Sequence, residues 1–196
     1  FGPFPKGIKT LLMEDIKRFF LFKPLSLKRV NSDDLSVILY TSGTSGRPKG
    51  VMLTEKNIQS NIDQVLEIAP FNKQHTFVGL LPQFHSFGFT VLTVIPQSIG
   101  AVVIYQARFS PQKLIEIFKK WNPNIMVGIP SMYNAILKQR NLDPDLFSNL
   151  EYAASGGEPL PHIIREEFEK ISSCELHEGY GLTETAPVAN WALTPN

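Results

Sequence analysis

Apolar residues along this chain alternate between short continuous runs and longer stretches where they recur every three or four positions. The first pattern marks buried strands and the second amphipathic helices. Residues 37–40 and 51–53 read as strands, after which Thr54 caps a helix running to about residue 69. A strand is expected over 76–81, a buried helix over 84–99 and a strand over 101–105. Ser110 as cap, with Pro111 at the first helical position, opens a helix that runs to Trp121. Then come a strand at 125–128, a helix at 131–139, a strand at 152–155, a helix at 161–170 and a strand at 175–178. Ahead of all these, apolar positions 11, 12, 16, 19 and 20 mark an amphipathic helix over 10–22, ended by Lys23-Pro24. Such alternation implies βαβ units: an α/β fold with a mostly parallel sheet flanked by helices. Residues 1–34 read as a partial preceding segment and 35–196 as the core; no internal repeat or low-complexity stretch is visible.

In parallel sheets, ligands gather beyond the carboxyl ends of the strands. Residues 41–49, 82–85, 156–159 and 179–184 each follow an expected strand, and each is rich in glycine or side chains suited to chemistry. The first is the most informative. Tyr40-Thr41-Ser42-Gly43-Thr44-Ser45-Gly46-Arg47-Pro48-Lys49-Gly50 crowds hydroxyls and glycines around a lysine and an arginine. Glycines let the backbone N–H groups approach a ligand, the hydroxyls add donors, and Lys49 adds a cation, a composition suited to a polyphosphate. The spacing Gly43-x-x-Gly46-x-x-Lys49-Gly50 is not that of a Walker loop, and a strand rather than a helix follows it. A solvated Ser/Thr/Gly linker is the plainer alternative, but linkers seldom join two apolar strands.

The eleven residues from Tyr40 to Gly50 resemble the phosphate-loop signature of the adenylate-forming, AMP-binding acyl ligases: acyl-CoA and acyl-carrier synthetases, peptide-synthetase adenylation domains and luciferases. Leu81-Pro82-Gln83-Phe84-His85-Ser86-Phe87-Gly88 and Glu178-Gly179-Tyr180-Gly181-Leu182-Thr183-Glu184-Thr185 follow in the family's order, with Ala154-Ser155-Gly156-Gly157-Glu158-Pro159-Leu160 between them. The resemblance covers about 35–190. It implies the central part of the family's large N-terminal domain, with the C-terminal lid domain absent. By resemblance, ATP phosphates lie against Thr41, Ser42, Gly43, Thr44, Ser45, Gly46 and Lys49. Gly156, Gly157 and Glu158 form one adenine wall, Tyr180 between Gly179 and Gly181 stacks on the base, and Thr183 bonds the α-phosphate. Glu184 coordinates Mg²⁺, and His85 positions the acyl carboxylate. The implied reaction is ATP-dependent activation of a carboxylic acid, followed by transfer to a thiol, either coenzyme A or acyl carrier protein. The wording around 84–91 and 178–188 is further similar to the acyl-ACP synthetase part of bacterial bifunctional 2-acylglycerophosphoethanolamine acyltransferases.

The apolar character of 84–95 bears on the acid. Phe87, Gly88, Phe89 and Val91 are suited to lining a channel, with Gly88 leaving room at its mouth, which fits a medium or long fatty acyl chain. An aryl acid, an amino acid, or a core helix with no channel are the alternatives, as are a nucleotide-binding module without chemistry and a P-loop NTPase. Lysine and arginine total 19 against 18 acidic residues, which predicts no affinity for nucleic acid. The single cysteine, Cys174, excludes an internal disulfide and is expected to be a core thiol on a strand. His75, His162 and His177 read as surface or strand histidines with no zinc spacing. No Lys, Arg, Asp or Glu occurs over 74–107, yet Pro82, Pro96 and Gly100 punctuate that run, against a membrane span. A cytoplasmic location is expected, with membrane contact only through segments outside this chain. Both edges of the sequence read as internal to a longer enzyme.

Overall fold

The computed structural model describes residues 31–41, 47–140, 142–143 and 145–192. The helix expected over 10–22 and the loop residues Ser42, Gly43, Thr44, Ser45 and Gly46 lie outside the described residues.

Strands β1 (Leu35–Thr41) and β2 (Lys49–Thr54) form a two-stranded antiparallel hairpin apart from the main sheet. The phosphate-loop candidate is therefore a hairpin connection and does not follow a strand of the parallel sheet. Lys49 is the first residue of β2, since its pairing with Thr41 extends the ladder beyond the apolar run. Helix α1 (Glu55–Ile68) follows directly. Thr54 Oγ1 accepts from Asn57 N–H at 3.2 Å and Asn57 Oδ1 accepts from Thr54 N–H at 3.0 Å, a reciprocal cap.

The main sheet holds six strands: β3 (Thr76–Gly79), β4 (Val102–Tyr105), β5 (Ile125–Gly128), β6 (Tyr152–Gly156), β7 (Leu176–Gly181) and β8 (Val188–Ala192). Their order is β4-β3-β5-β6-β7-β8, parallel except for the β7–β8 pair. The chain steps one way from β3 to β4, then returns past β3 to β5, so the topology reverses between β3 and β5. Strand β8 is absent from the sequence reading. Its antiparallel pairing, Gly179 with Trp191 and Tyr180 with Asn190, is also what carries β7 to Gly181, where the motif alone reads as a loop from Gly179.

The helix expected over 84–99 begins at Ser86 and is interrupted. Ser86–Phe89 and Ile95–Ile99 are α-helical, and Thr90–Val94 between them is a π turn; together they make α2. Pro96 explains the interruption, because it lacks the N–H that the Leu92 carbonyl needs. Instead Ile95 N–H reaches Thr90 O, and the Tyr105 hydroxyl donates to Leu92 O at 2.8 Å. Helices α3 (Pro111–Trp121), α4 (Pro130–Leu137) and α5 (His162–Ser172) complete the fold, α3 opening on Ser110 and Pro111 as its sequence dictates.

Two aromatic clusters mark the two sides of the sheet. Phe71 meets Phe77, Tyr152 and Trp191 at centroid distances of 5.3, 5.1 and 6.0 Å. Across the sheet, Phe118 of α3, Phe147, Phe168 of α5 and Tyr133 of α4 stack edge-on or tilted in sequence. Tyr133 is fully buried, its hydroxyl shared between the carbonyls of Met126 at 3.1 Å and Ala154 at 2.8 Å. Burial pushes that phenol well above its ordinary pKa. Cys174 is buried as expected, but it sits between α5 and β7 rather than on a strand.

Candidate functional site

At the carboxyl edge of β5, β6 and β7 lies a cavity of about 510 Å³. Its walls include Thr41 and Lys49 from the hairpin, His85, Phe87 and Val91 at the start of α2, and Val127 and Ala154 from the sheet. Gly156, Gly157, Gly179, Tyr180, Gly181, Thr183 and Glu184 line it as well. Four sequence segments more than a hundred residues apart at their extremes thus meet in one place. Of the residues singled out in the sequence, Glu158 does not line the cavity, and Ser42–Gly46 lie outside the described residues.

The hairpin brings its ends, Thr41 and Lys49, against the 3₁₀ turn Thr183–Thr185, which both of its strands contact. Lys49, Tyr180 and Glu184 are exposed, so the cavity is open to water on this side. Thr183 is held from behind by Ser86, with Oγ to Oγ1 at 3.2 Å. Ser86 is itself buried at the first position of α2. His85 caps α2, its Nδ1 accepting from Phe87 N–H at 3.3 Å. In the neutral imidazole that bond leaves the hydrogen on Nε2, so the ring offers a donor at the cavity. Capping and cavity lining are thus one geometry here.

Three polar contacts that motif reading missed fix the walls. Asn61 of α1, 3% exposed, donates through Nδ2 to Val188 O at 2.7 Å and accepts from Val188 N–H at 3.1 Å, pairing like a peptide with the start of β8. Thr90 in the π turn donates to Ala186 O at 3.1 Å. Glu178 accepts from Leu160 N–H at 2.9 Å and faces Arg165 at 3.5 Å, which ties the turn after Gly156 to β7. Asn61 sits on the apolar face of α1, and a buried asparagine among Ile58, Ile62 and Val65 was the available signal.

The channel expectation divides. Phe87 and Val91 line the cavity, but Gly88 and Phe89 do not. Gly88 leaves no space at a mouth. A Cβ there would collide with the Pro82 carbonyl oxygen and sit 2.9 Å from that of Leu81, so this glycine lets α2 pack against the preceding loop. His75 is buried, its Nδ1 accepting from Asn72 N–H at 2.9 Å, while His162 is exposed beside Glu166 and His177 is buried in β7. Among the described residues no three of His, Cys, Asp and Glu gather as a metal site, and no helix is long and apolar enough to cross a membrane. Burial pushes the Cys174 thiol up to about 11, so it is not a thiolate near neutrality.

The chain belongs to the AMP-binding enzyme family, whose profile matches residues 7–196. It is 32% identical over 169 residues to a long-chain-fatty-acid–CoA ligase of Bacillus subtilis (strain 168), covering 85% of this chain and 30% of that protein. It is 28% identical over 170 residues to 4-coumarate–CoA ligase CCL1 of Humulus lupulus, covering 84% of this chain and 31% of that one. Among solved structures, apo and ATP-bound MatB from Rhodopseudomonas palustris each superimpose with a TM-score of 0.81 at 26% identity, over 88% of this chain and 34% of theirs. The α/β architecture is that of these enzymes, and the chain spans about a third of their length.

Proposed function

We propose that the cavity binds ATP and a carboxylic acid side by side and serves acyl-adenylate formation in the full-length protein. The observation that carries this is the joining, in one cavity, of cationic and hydroxyl groups (Lys49, Thr41, Thr183) with an apolar wall (Phe87, Val91, Val127). A carboxylate oxygen attacks the α-phosphorus, forming a P–O bond as the bond to the bridging oxygen breaks and pyrophosphate leaves. Two anions must approach, so charge has to be neutralised and the attack held in line. Lys49 and the hairpin loop, Ser42 to Gly46 included, take the β- and γ-phosphates. Thr183, backed by Ser86, donates to the α-phosphate. His85 Nε2–H meets the acid's carboxylate. Tyr180, between Gly179 and Gly181, stacks on adenine beside Gly156 and Gly157.

Mg²⁺ takes oxygen ligands and is commonly held by one or two carboxylates together with substrate phosphates. Among the described residues Glu184 is the one carboxylate lining this cavity, which fits such a site, and it would hold the ion while the ion offsets phosphate charge. In the second half-reaction a thiol sulfur attacks the acyl carbon, AMP leaves, and the thiol proton is lost. The acceptor is coenzyme A, as the names of the relatives have it, or acyl carrier protein, as the wording of 84–91 and 178–188 suggests. A medium or long fatty acid is the favoured acid, supported by the apolar wall and by the Bacillus subtilis relative.

The test is acid-dependent ATP–pyrophosphate exchange on the full-length natural protein, with fatty, aryl and amino acids and a no-acid control. Exchange confined to one class of acid supports the reading and names the substrate. ATP binding without exchange for any acid would instead point to a nucleotide-binding module without chemistry.

A further inference from the structure

On the sheet face that floors the cavity, Gly79 leaves a gap that a half-exposed side chain, Tyr105, covers. Gly79, Val127 and Ala154 are register partners across β3, β5 and β6, and Tyr105 is Gly79's partner on the outer strand β4. Val127 and Ala154 line the cavity, but Gly79, next in the row, does not. The Tyr105 ring lies over it: a Cβ on Gly79 would sit 2.8 Å from Tyr105 Cε1 and closer still to Cδ1. From there the ring reaches α2, where its hydroxyl donates to Leu92 O at 2.8 Å and lies 3.2 Å from Thr93 Oγ1. Leu92 immediately follows Val91, the α2 residue of the cavity wall. Pro96 is what leaves the Leu92 carbonyl in need of this donor.

Resting on the reading above, we propose that Tyr105 is the specificity-determining end wall of the acid pocket. By filling the groove between α2 and β3, it stops an acyl chain at Val91 and Val127. Without the ring, bare Gly79 would extend the apolar groove by one strand spacing towards β4. The π turn of α2 is then part of the device, since it presents the Leu92 carbonyl that latches the ring in place. The acid must share one cavity with the nucleotide, so the parent's optimum falls at medium rather than long chain length.

The experiment is ATP–pyrophosphate exchange by the full-length protein across a series of saturated fatty acids, for the parent, Tyr105→Ala, Tyr105→Gln and Tyr105→Phe. Tyr105→Ala removes ring and latch. Tyr105→Gln removes the ring but retains a donor for Leu92, which guards against an unfolded variant. Both are expected to move the optimum to longer acids, with kcat/KM rising by up to about fourfold for each methylene newly buried. Tyr105→Phe keeps the ring and loses only the latch, so its optimum is expected to move less than that of either variant without the ring. An unchanged chain-length profile in a folded Ala or Gln variant would overturn the role of Tyr105 while leaving adenylation intact. A parent inactive with every acid would overturn the reading of the site itself, and this inference with it.

Discussion

Two antiparallel hairpins supply the polar side of the cavity, and they are built in opposite ways. The β1–β2 hairpin is local: its strands flank one loop, its register is self-contained, and its chemistry is spelled by consecutive residues. The β7–β8 hairpin is held by distant parts of the chain. Asn61 pairs with Val188 across 127 positions, Ser86 backs Thr183 across 97, and Thr90 bonds Ala186 across 96. In the function proposed above, phosphates are met by donors that lie close together in sequence, which one hairpin connection provides. Aiming a hydroxyl and a carboxylate at a reacting centre needs walls that do not move, and these come from buried hydrogen bonds between elements.

The sharpest way to break this contrast is to remove one group from each hairpin. In the full-length protein, Lys49→Ala and Thr183→Ala are each expected to lower acid-dependent pyrophosphate exchange by about 10² to 10³, the usual effect of losing a well-aimed charge-stabilising donor. Losses below about fivefold for both would remove the assignments.

A second cut separates local from distant support. Asn61→Leu keeps the apolar face of α1 but leaves the Val188 N–H and C=O without their partner. It should destabilise the chain by about 1–3 kcal/mol in urea denaturation. It should also lower exchange through kcat, because Thr183 and Glu184 sit on the turn that β8 anchors. A variant of parental stability would show that β8 is held by its strand pairing alone.

The smallest effect concerns pH and lies away from the cavity. Cys174 has a folded pKa of about 11, raised from 9.0 by burial, and Tyr133 is raised as well. In both, folding favours the protonated form. The stability this contributes is present below the unfolded pKa and is lost as pH rises from about 9 towards 11. Denaturation midpoints measured over that range should fall, and the Cys174→Ala variant should fall less steeply. A flat profile would mean that the thiol and phenol are hydrated in solution.

Much of the fold was legible because its elements announce themselves locally. Thr54 and Ser110 cap the helices their positions predict, and the runs at 37–40 and 125–128 lie in strands as expected, while that at 76–81 is a strand only as far as Gly79. Misreadings fall where a distant partner decides. Strand β8 carries Val188, Asn190 and Trp191 in no clear alternation and is fixed by pairing with β7. The π turn follows from Pro96 together with a tyrosine nine residues later on another strand. Gly88 looked like space and is a contact, since a missing side chain records close approach without saying what approaches.

The sequence by itself determined the α/β alternation, the loop chemistry between Tyr40 and Gly50, and the inventory of polar groups in the later motifs. These are properties of neighbours along the chain, set by periodicity, capping and residue chemistry. Tertiary structure decided that the hairpin stands apart from the parallel sheet yet delivers Thr41 and Lys49 to its edge. It also decided that His85 caps a helix while lining the cavity, that Ser86 meets Thr183 there, and that Asn61 and Tyr105 pair with the backbone of β8 and α2 beside it. Those facts depend on which buried donor meets which buried acceptor, and satisfying such groups is a property of the packed whole.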